Sequence, residues 1–455
     1  MAVAVLLGQR GIACTVVERR TTAFDLPRAV HLDDESMRVL QELGIAHQLT
    51  TRPALGLRLV DADLRTLAQF DRGPGRFGYP QSSMFSQPEL EGLLRGRIAA
   101  LPDVDLRAGV ELIGLDGSVR DVATGEVSRI ECSHVLGCDG ASSTVRELAK
   151  VGWRDLGFEE RWLVVDGQQQ EPLGTWNGVF QVCDPKRAAT YMQVAAEHYR
   201  WEFRLHAGET AVSVDLAALL RPWGVASDLA IVRRAEYTFR AGLAGQWRRD
   251  NVLLLGDAAH QTPPFIGQGL GLGLGDASNL AWKLASGQPL DSYEAERAPH
   301  AKALVRKAML VGWALTGGQD AAAAVRRRAL ALMYRGPRLM RAALDRGTPA
   351  LRPGPLVGRG RLAGQRIPQP TTSFDEELGN GFALVLTRQP TQEVAAIARR
   401  LGAGSVVAPP AVATWMRRAR STAVIVRPDR VVLLAADRRG RLTAGARRAA
   451  AAVRT

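Results

Sequence analysis

The stretch NVLLLGDAAHQTPPFIGQGLGLGLGDASNLAWKLA, Asn251 to Ala285, constrains the fold of this chain more than any other. It begins as a continuous apolar run, which reads as a strand buried on both faces of a parallel sheet. That run delivers Gly256 and Asp257, and a carboxylate at the end of such a strand is placed to accept hydrogen bonds from a ribityl or ribose hydroxyl. Pro263 and Pro264 stiffen the following loop. Gly267, Gln268 and Gly269 then bring bare backbone N–H groups to the start of a helix, expected from about Gly273 to Gly287. Its N-terminus favours negative charge on a ligand. A plain glycine-rich turn explains each part alone, but poorly explains all of them in this order. The Leu-Gly pairs, Gly275 among them, weaken that helix by up to about 1 kcal/mol per glycine.

A second strand-to-helix junction is VLGCDGASSTVRELA, Val135 to Ala149. Small residues there let the backbone approach a ligand, and Asp139 accepts hydrogen bonds at the helix entrance. An Asp-Gly pair is equally at home in an ordinary type I turn. The chain opens MAVAVLLGQRGIACTVVERR, a helix, a glycine stop and a strand ending at Glu18. This reads as the second half of a nucleotide-binding βαβ unit. In such a unit an acid about 20 residues past the glycine turn holds the adenosine ribose. A solvent-facing acid ending any strand has the same appearance.

DDESMRVLQELG reads as an amphipathic helix capped by Asp33 or Asp34, and SQPELEGLLRGRIAAL as another with Pro88 at its first position. VDLRAGVELIGL reads as one strand. From about Val151 to Trp247 short alternating runs carry several of the aromatics, the pattern of an inserted, mostly antiparallel sheet. Helices continue to about Arg346, a Pro/Gly-rich linker follows, and Phe382 to Thr455 form a small strand-and-helix unit.

The chain has 455 residues, which suggests two or three domains, and no apolar run long enough for a membrane span. A net charge of +13 raises nucleic-acid binding, but the arginines are spread along the chain and no binding motif appears. The densest basic stretch, Ala324 to Arg346, reads as a solvated helix face. The four cysteines lack metal-ligand or CxxC spacing and read as reduced, buried thiols of a cytoplasmic enzyme.

Glu18, the Asp139-Gly140 motif and the Gly256-Asp257 motif, in this order and spacing, resemble the class A FAD-dependent aromatic monooxygenases. PRAVHLDDESMRVLQELG and QVCDP with YRWEFRL narrow the resemblance to the 3-(3-hydroxyphenyl)propionate and aromatic polyketide hydroxylases. It implies an α/β architecture: a Rossmann-like FAD-binding domain (1–52, 86–150 and 248–346), an inserted substrate-binding sheet (53–85 and 151–247), and a C-terminal thioredoxin-like domain (359–455). This last has no cysteine, so thiol redox work there is excluded.

The resemblance also implies roles. Glu18 would hold the adenosine ribose with Arg19 beside it, and Arg28 would approach the pyrophosphate or flavin. Gln87 would contact the flavin, Val110 would offer a backbone contact near adenine, and Asp139 would serve FAD and NAD(P)H together. Gly256 and Asp257 would bind the ribityl or pyrophosphate side. Gly267, Gln268, Gly269 and Leu270 would present N–H groups to the flavin ring, and Pro263, Pro264 and Phe265 would border a phenolic substrate. The implied reaction is hydroxylation with O₂ and NAD(P)H through a flavin C4a-hydroperoxide. No side-chain acid or base is assigned, no metal, nucleic acid or membrane is expected, and a homodimer stays open. One departure stands out. The family's first strand and GxGxxG turn do not precede Met1, so about a dozen or more upstream residues encoding them are expected. A truncated relic unable to hold FAD, a flavin oxidase, and a halogenase (for which no WxWxIP-like segment is present) are the alternatives.

Overall fold

The computed structural model describes residues 1–23, 28–170, 173, 176–225, 229–316 and 348–454. The basic stretch Ala324–Arg346 and the helices expected up to Arg346 lie outside the described residues.

The apolar runs form parallel strands. Cys14–Glu18 pairs with Val104–Ala108, and Val135–Gly137 pairs with Val252–Leu254, to which Arg248–Arg249 adds an antiparallel edge. Among the described residues these pairs belong to two separate sheets. Parallel pairing puts Asp139 and Asp257, just past the ends of their strands, at one carboxyl edge, where ligands of α/β sheets bind. The first helix, Ala2–Gly8, is buried along Val3–Gly8 and packs on helix Gly269–Ala285. Its last residue is glycine for a packing reason, since a Cβ at Gly8 would stand 2.4 Å from Val104 Cγ2, and Gly11 at φ 70° then turns the chain away.

Three boundaries differ from the sequence reading. Helix Gly269–Ala285 begins four residues before the expected Gly273. VDLRAGVELIGL is two strands, because Gly109 at φ 76° breaks it. Val110–Leu112 then leaves for an antiparallel meander with Ser118–Asp121 and Val127–Arg129. Asp33, rather than Asp34, caps helix Asp34–Glu42 by accepting from the Ser36 N–H at 2.8 Å. Helix Gln87–Ala99 starts on Gln87, so Pro88 is its second residue.

An eight-stranded sheet holds the strands from Gly56 to Asp71 and from Trp153 to Ala244, with His260–Gln261 at its edge. Every neighbouring pair is antiparallel except Val179–Val182 with Gly56–Val60. Side chains alternate between its faces. One face buries Leu163, Val165, Tyr191, Trp201 and Phe203 in an apolar cluster capped by Trp223. The other carries Trp162, Asp166, Arg200 and Glu202 toward the parallel strands.

The C-terminal unit is a four-stranded mixed sheet, ordered Gly404–Val407, Ala383–Leu386, Ser421–Val426, Val432–Asp437. Buried ion pairs fasten it to the rest. Arg427 donates to Glu296 at 3.0 and 2.9 Å and pairs with Asp429, while Lys283 lies 3.0 Å from Glu296. Arg38, 1 % exposed, grips Asp375 in a bidentate pair at 2.8 and 2.6 Å. Trp282 of helix Gly269–Ala285 sits inside the C-terminal unit's own core.

Candidate functional site

The buried strand Val252–Leu254 ends in a tight turn with Gly256 at φ 57°, a left-handed conformation that favours glycine. A Cβ at Gly273 would meet Gly256 Cα at 3.4 Å, so the helix and the turn touch backbone to backbone. Asp276, fully buried in that helix, pins the turn from beneath. It accepts from the Gly256 N–H at 3.1 Å and the Arg297 Nε at 2.7 Å, and it lies 2.7 Å from His260 Nε2. Burial works to raise its pKa, but Arg297 and then His260 outweigh this and hold it below the usual carboxylate range.

Asp257 differs from Asp276. Solvent reaches its side chain, yet protein surrounds it closely, as at the floor of a cleft. No hydrogen-bond donor among the described residues reaches its carboxylate. Burial pushes its pKa up, against the nearby His260 and Arg28 charges.

Three of the remaining glycines, Gly267, Gly271 and Gly275, are explained by close approach. Gly267 has φ 62°, and a Cβ there would stand 2.6 Å from His31 Nδ1. A Cβ at Gly271 would stand 2.6 Å from Ser36 Oγ, and one at Gly275 2.9 Å from Arg297 Nη2. The Leu-Gly repeat thus gives up helix propensity to seat three neighbours against one helix. A Cβ at Gly269 would meet nothing within 4 Å. The helix N-terminus has no side-chain cap, because the Gln268 amide donates instead to Asp33 at 2.7 Å. Leu270 follows in the first turn.

Gln87 holds the segment leading to helix Asp34–Glu42. Its Oε1 accepts the Arg28 and Ala29 N–H groups, both at 2.8 Å, which leaves the amide nitrogen for another acceptor. Arg28 is exposed at its side chain, and its carbonyl accepts from the buried Arg200 at 2.9 Å. Glu18 ends its strand opposite Ala108, two residues before Val110, and accepts from the Arg20 N–H at 2.9 Å. Arg19 is exposed. Asp139 accepts from Ser143 Oγ at 2.5 Å and the Val145 N–H at 3.0 Å, the turn-and-cap role open to it from sequence. Its carboxylate stays solvent-exposed, with lone pairs to spare.

Pro263 is buried and Pro264 exposed. Phe265 packs edge-on against Phe158 and Trp162, with ring centres 5.7 and 6.0 Å away. A Cβ at Gly312 would lie 2.3 Å from its ring, so that glycine makes room for it. One loop therefore joins the glycine-rich helix start to the aromatic face of the large sheet. The cysteines are free, but the expectation of burial needs correction. Cys132 and Cys138 are exposed and Cys14 and Cys183 half-buried, because Cys132 lies outside any strand and Cys138 lies past the end of its own.

Sequence reasoning passed over Asp276 and the sheet's charged face. Asp276 had a signal: a lone acid within GLGLGLGDASNLAWKLA, a run otherwise small or apolar around it, must find buried partners.

The family model described as "FAD binding domain" matches residues 1–308. The chain belongs to this FAD-binding family. A probable NADH-specific resorcinol 4-hydroxylase of Rhodococcus jostii is 37% identical over 413 residues, 85% of this chain and 76% of that protein. A 3-(3-hydroxy-phenyl)propionate/3-hydroxycinnamic acid hydroxylase of Mycolicibacterium smegmatis is 32% identical over 426 residues, covering 85% and 74%. The crystal structure of the flavin-dependent monooxygenase PieE with FAD and substrate shares the fold, with a TM-score of 0.79 at 20% identity, over 99% of this chain and 96% of that one.

The site residues fit FAD. A carboxylate without a protein donor, an uncapped helix N-terminus and glycine-opened backbone match its hydroxyl chain and its anionic ring edge. Asp257→Ala is expected to weaken FAD binding about 10- to 150-fold, the equivalent of one charge-assisted hydrogen bond. Titration with FAD followed by flavin fluorescence reads this, and unchanged affinity would displace the site.

Proposed function

We propose that this protein hydroxylates a phenolic ring, consuming O₂ and NAD(P)H and releasing water and NAD(P)⁺. The observation that carries this reading is the Pro263–Phe265 loop, which links the glycine-rich helix start to the aromatic wall of Trp162 and Phe158. A flat ring held against that wall lies beside the place where the flavin ring is expected. The identities to hydroxylases of resorcinol and hydroxyphenylpropionate support a small monocyclic phenol.

Within this reading Asp257 binds the ribityl hydroxyls, and the helix starting at Gly269 stabilises negative charge on the ring edge. Gln87, Arg28 and Glu18 bind the dinucleotide along the carboxyl edge, with Arg19 and the Val110 backbone at the adenosine end. Asp139 orders the helix entrance beside Asp257. Bound FAD supplies the electron transfer and oxygen chemistry. Pro263, Pro264 and Phe265 keep water from the reacting ring. Free cysteines and a nicotinamide reductant suit a cytoplasmic setting.

FAD-loaded protein is expected to consume NADH or NADPH slowly alone and several-fold faster with a fitting phenol. Following absorbance at 340 nm across resorcinol and hydroxyphenylpropionates tests it. Consumption that no phenol accelerates would count against the reading.

A further inference from the structure

The face of the large sheet turned toward the parallel strands is rich in charge, and most of its charges are accounted for. Asp166, fully buried, accepts from Arg200 Nε at 2.8 Å, lies 3.0 Å from His198 Nε2 and stands 3.8 Å from Arg233. Arg233 also lies over the Tyr237 ring at 4.8 Å. Arg204 pairs with Glu160 at 3.8 Å and reaches the Thr316 carbonyl.

Glu202 stands apart. It sits mid-strand, opposite Val164 on one side and Thr190 on the other. No hydrogen bond or ion pair among the described residues engages its carboxylate, although Arg200, Asp166 and Arg233 act on it from a distance. It is half-buried yet closely surrounded, and that burial pushes its pKa up. Its place on the sheet is fixed by its neighbours. Diagonally to one side is Trp162, which touches Phe265. Diagonally to the other is Asp166, whose partner Arg200 donates to the Arg28 carbonyl. Such diagonal neighbours lie about 7–8 Å apart. Glu202 thus stands between two points where the sheet touches the flavin-binding half.

We propose that Glu202 accepts the hydrogen bond of the substrate's phenolic hydroxyl and so selects phenols over their ethers. The assignment rests on the hydroxylase reading above. A carboxylate with no donor among the described residues, desolvated on the sheet face that carries Trp162, gains most from a ligand that brings an O–H group. Such a bond draws the hydroxyl proton toward the carboxylate and leaves the ring oxygen richer in electrons. That is the polarisation a ring needs when it is attacked by an electrophilic oxygen. A methyl ether occupies the same space but offers no donor, so the carboxylate stays desolvated and unpaired.

The test is calorimetric titration of FAD-loaded protein with resorcinol and with 3-methoxyphenol and 1,3-dimethoxybenzene. Wild-type protein is expected to lose affinity as hydroxyls are methylated. Glu202→Gln is expected to bind resorcinol about tenfold more weakly, and Glu202→Leu about 10- to 150-fold, while dimethoxybenzene binds both variants at least as well as wild type. The retained ether binding serves as the control for an intact pocket. If both variants bind resorcinol like wild type, or lose phenol and ether equally, the Glu202 assignment is overturned while the hydroxylase reading stands. If wild-type protein binds no phenol at all, both are overturned together.

Discussion

Arg427→Ala is expected to destabilise the fold by about 3–5 kcal/mol, the effect of stripping one partner from a buried ion network. Arg427 is fully buried and is shared by Glu296 and Asp429, while Asn279 donates to both of those carboxylates at 2.9 and 3.0 Å. Without the guanidinium, two buried carboxylates are left with Lys283 and the more distant Arg366 as their cations. Asp429 shows how strong the field is: burial opposes its charge, yet Arg427 holds its pKa at about 2, against an ordinary 3.8. Its folded pKa is the lower one, so its contribution is complete above the ordinary value and is lost as pH falls toward about 2. Urea unfolding at neutral pH reads the mutant effect. The double variant R427M/D429L, which removes one charge of each sign, is expected to recover most of the loss. A single mutant within about 1 kcal/mol of wild type would contradict this account. The same network ties the C-terminal unit to helices of the FAD-binding half. Removal of that unit would uncover Trp282, strip Arg38 of Asp375 and leave Glu296 without Arg427.

Asp276→Ala is expected to produce two losses at once. Stability should fall by about 3–5 kcal/mol, since Arg297 would be left as an unpaired buried charge. FAD binding should weaken as well, because the Gly256 N–H loses its acceptor and the turn that aims Asp257 loosens. Denaturant unfolding and flavin titration on the same preparation separate the two. A variant that unfolds early but binds FAD like wild type when folded would show that Asp276 supports the sheet alone. Wild-type stability would show that the triad is not what holds the turn.

Much of this was legible in sequence, and the limits have physical causes. Gly256-Asp257 and Gly267–Gly269 announced themselves because a buried apolar strand, a carboxylate and bare backbone in series have few other uses. The inserted sheet was visible from its alternation. Asp276 and Arg297 were not, because their partnership spans two helices and no local spacing encodes it. Gly109 broke a strand that its apolar neighbours favoured, since a left-handed φ outweighs β propensity. The Leu-Gly repeat looked like a weakness until Ser36, Gly256 and Arg297 were found seated against it. Glu202 lies in YRWEFRL, where alternation marks the face but cannot say which face meets the flavin-binding half.

The central claim is oxygen transfer to a phenol, and the most direct test is product mass after reaction under ¹⁸O₂. FAD-loaded protein, NAD(P)H and a phenol drawn from the resorcinol and hydroxyphenylpropionate classes are expected to yield a product carrying one ¹⁸O atom. Label confined to water or peroxide across that panel would contradict hydroxylation and leave a flavin oxidase in its place.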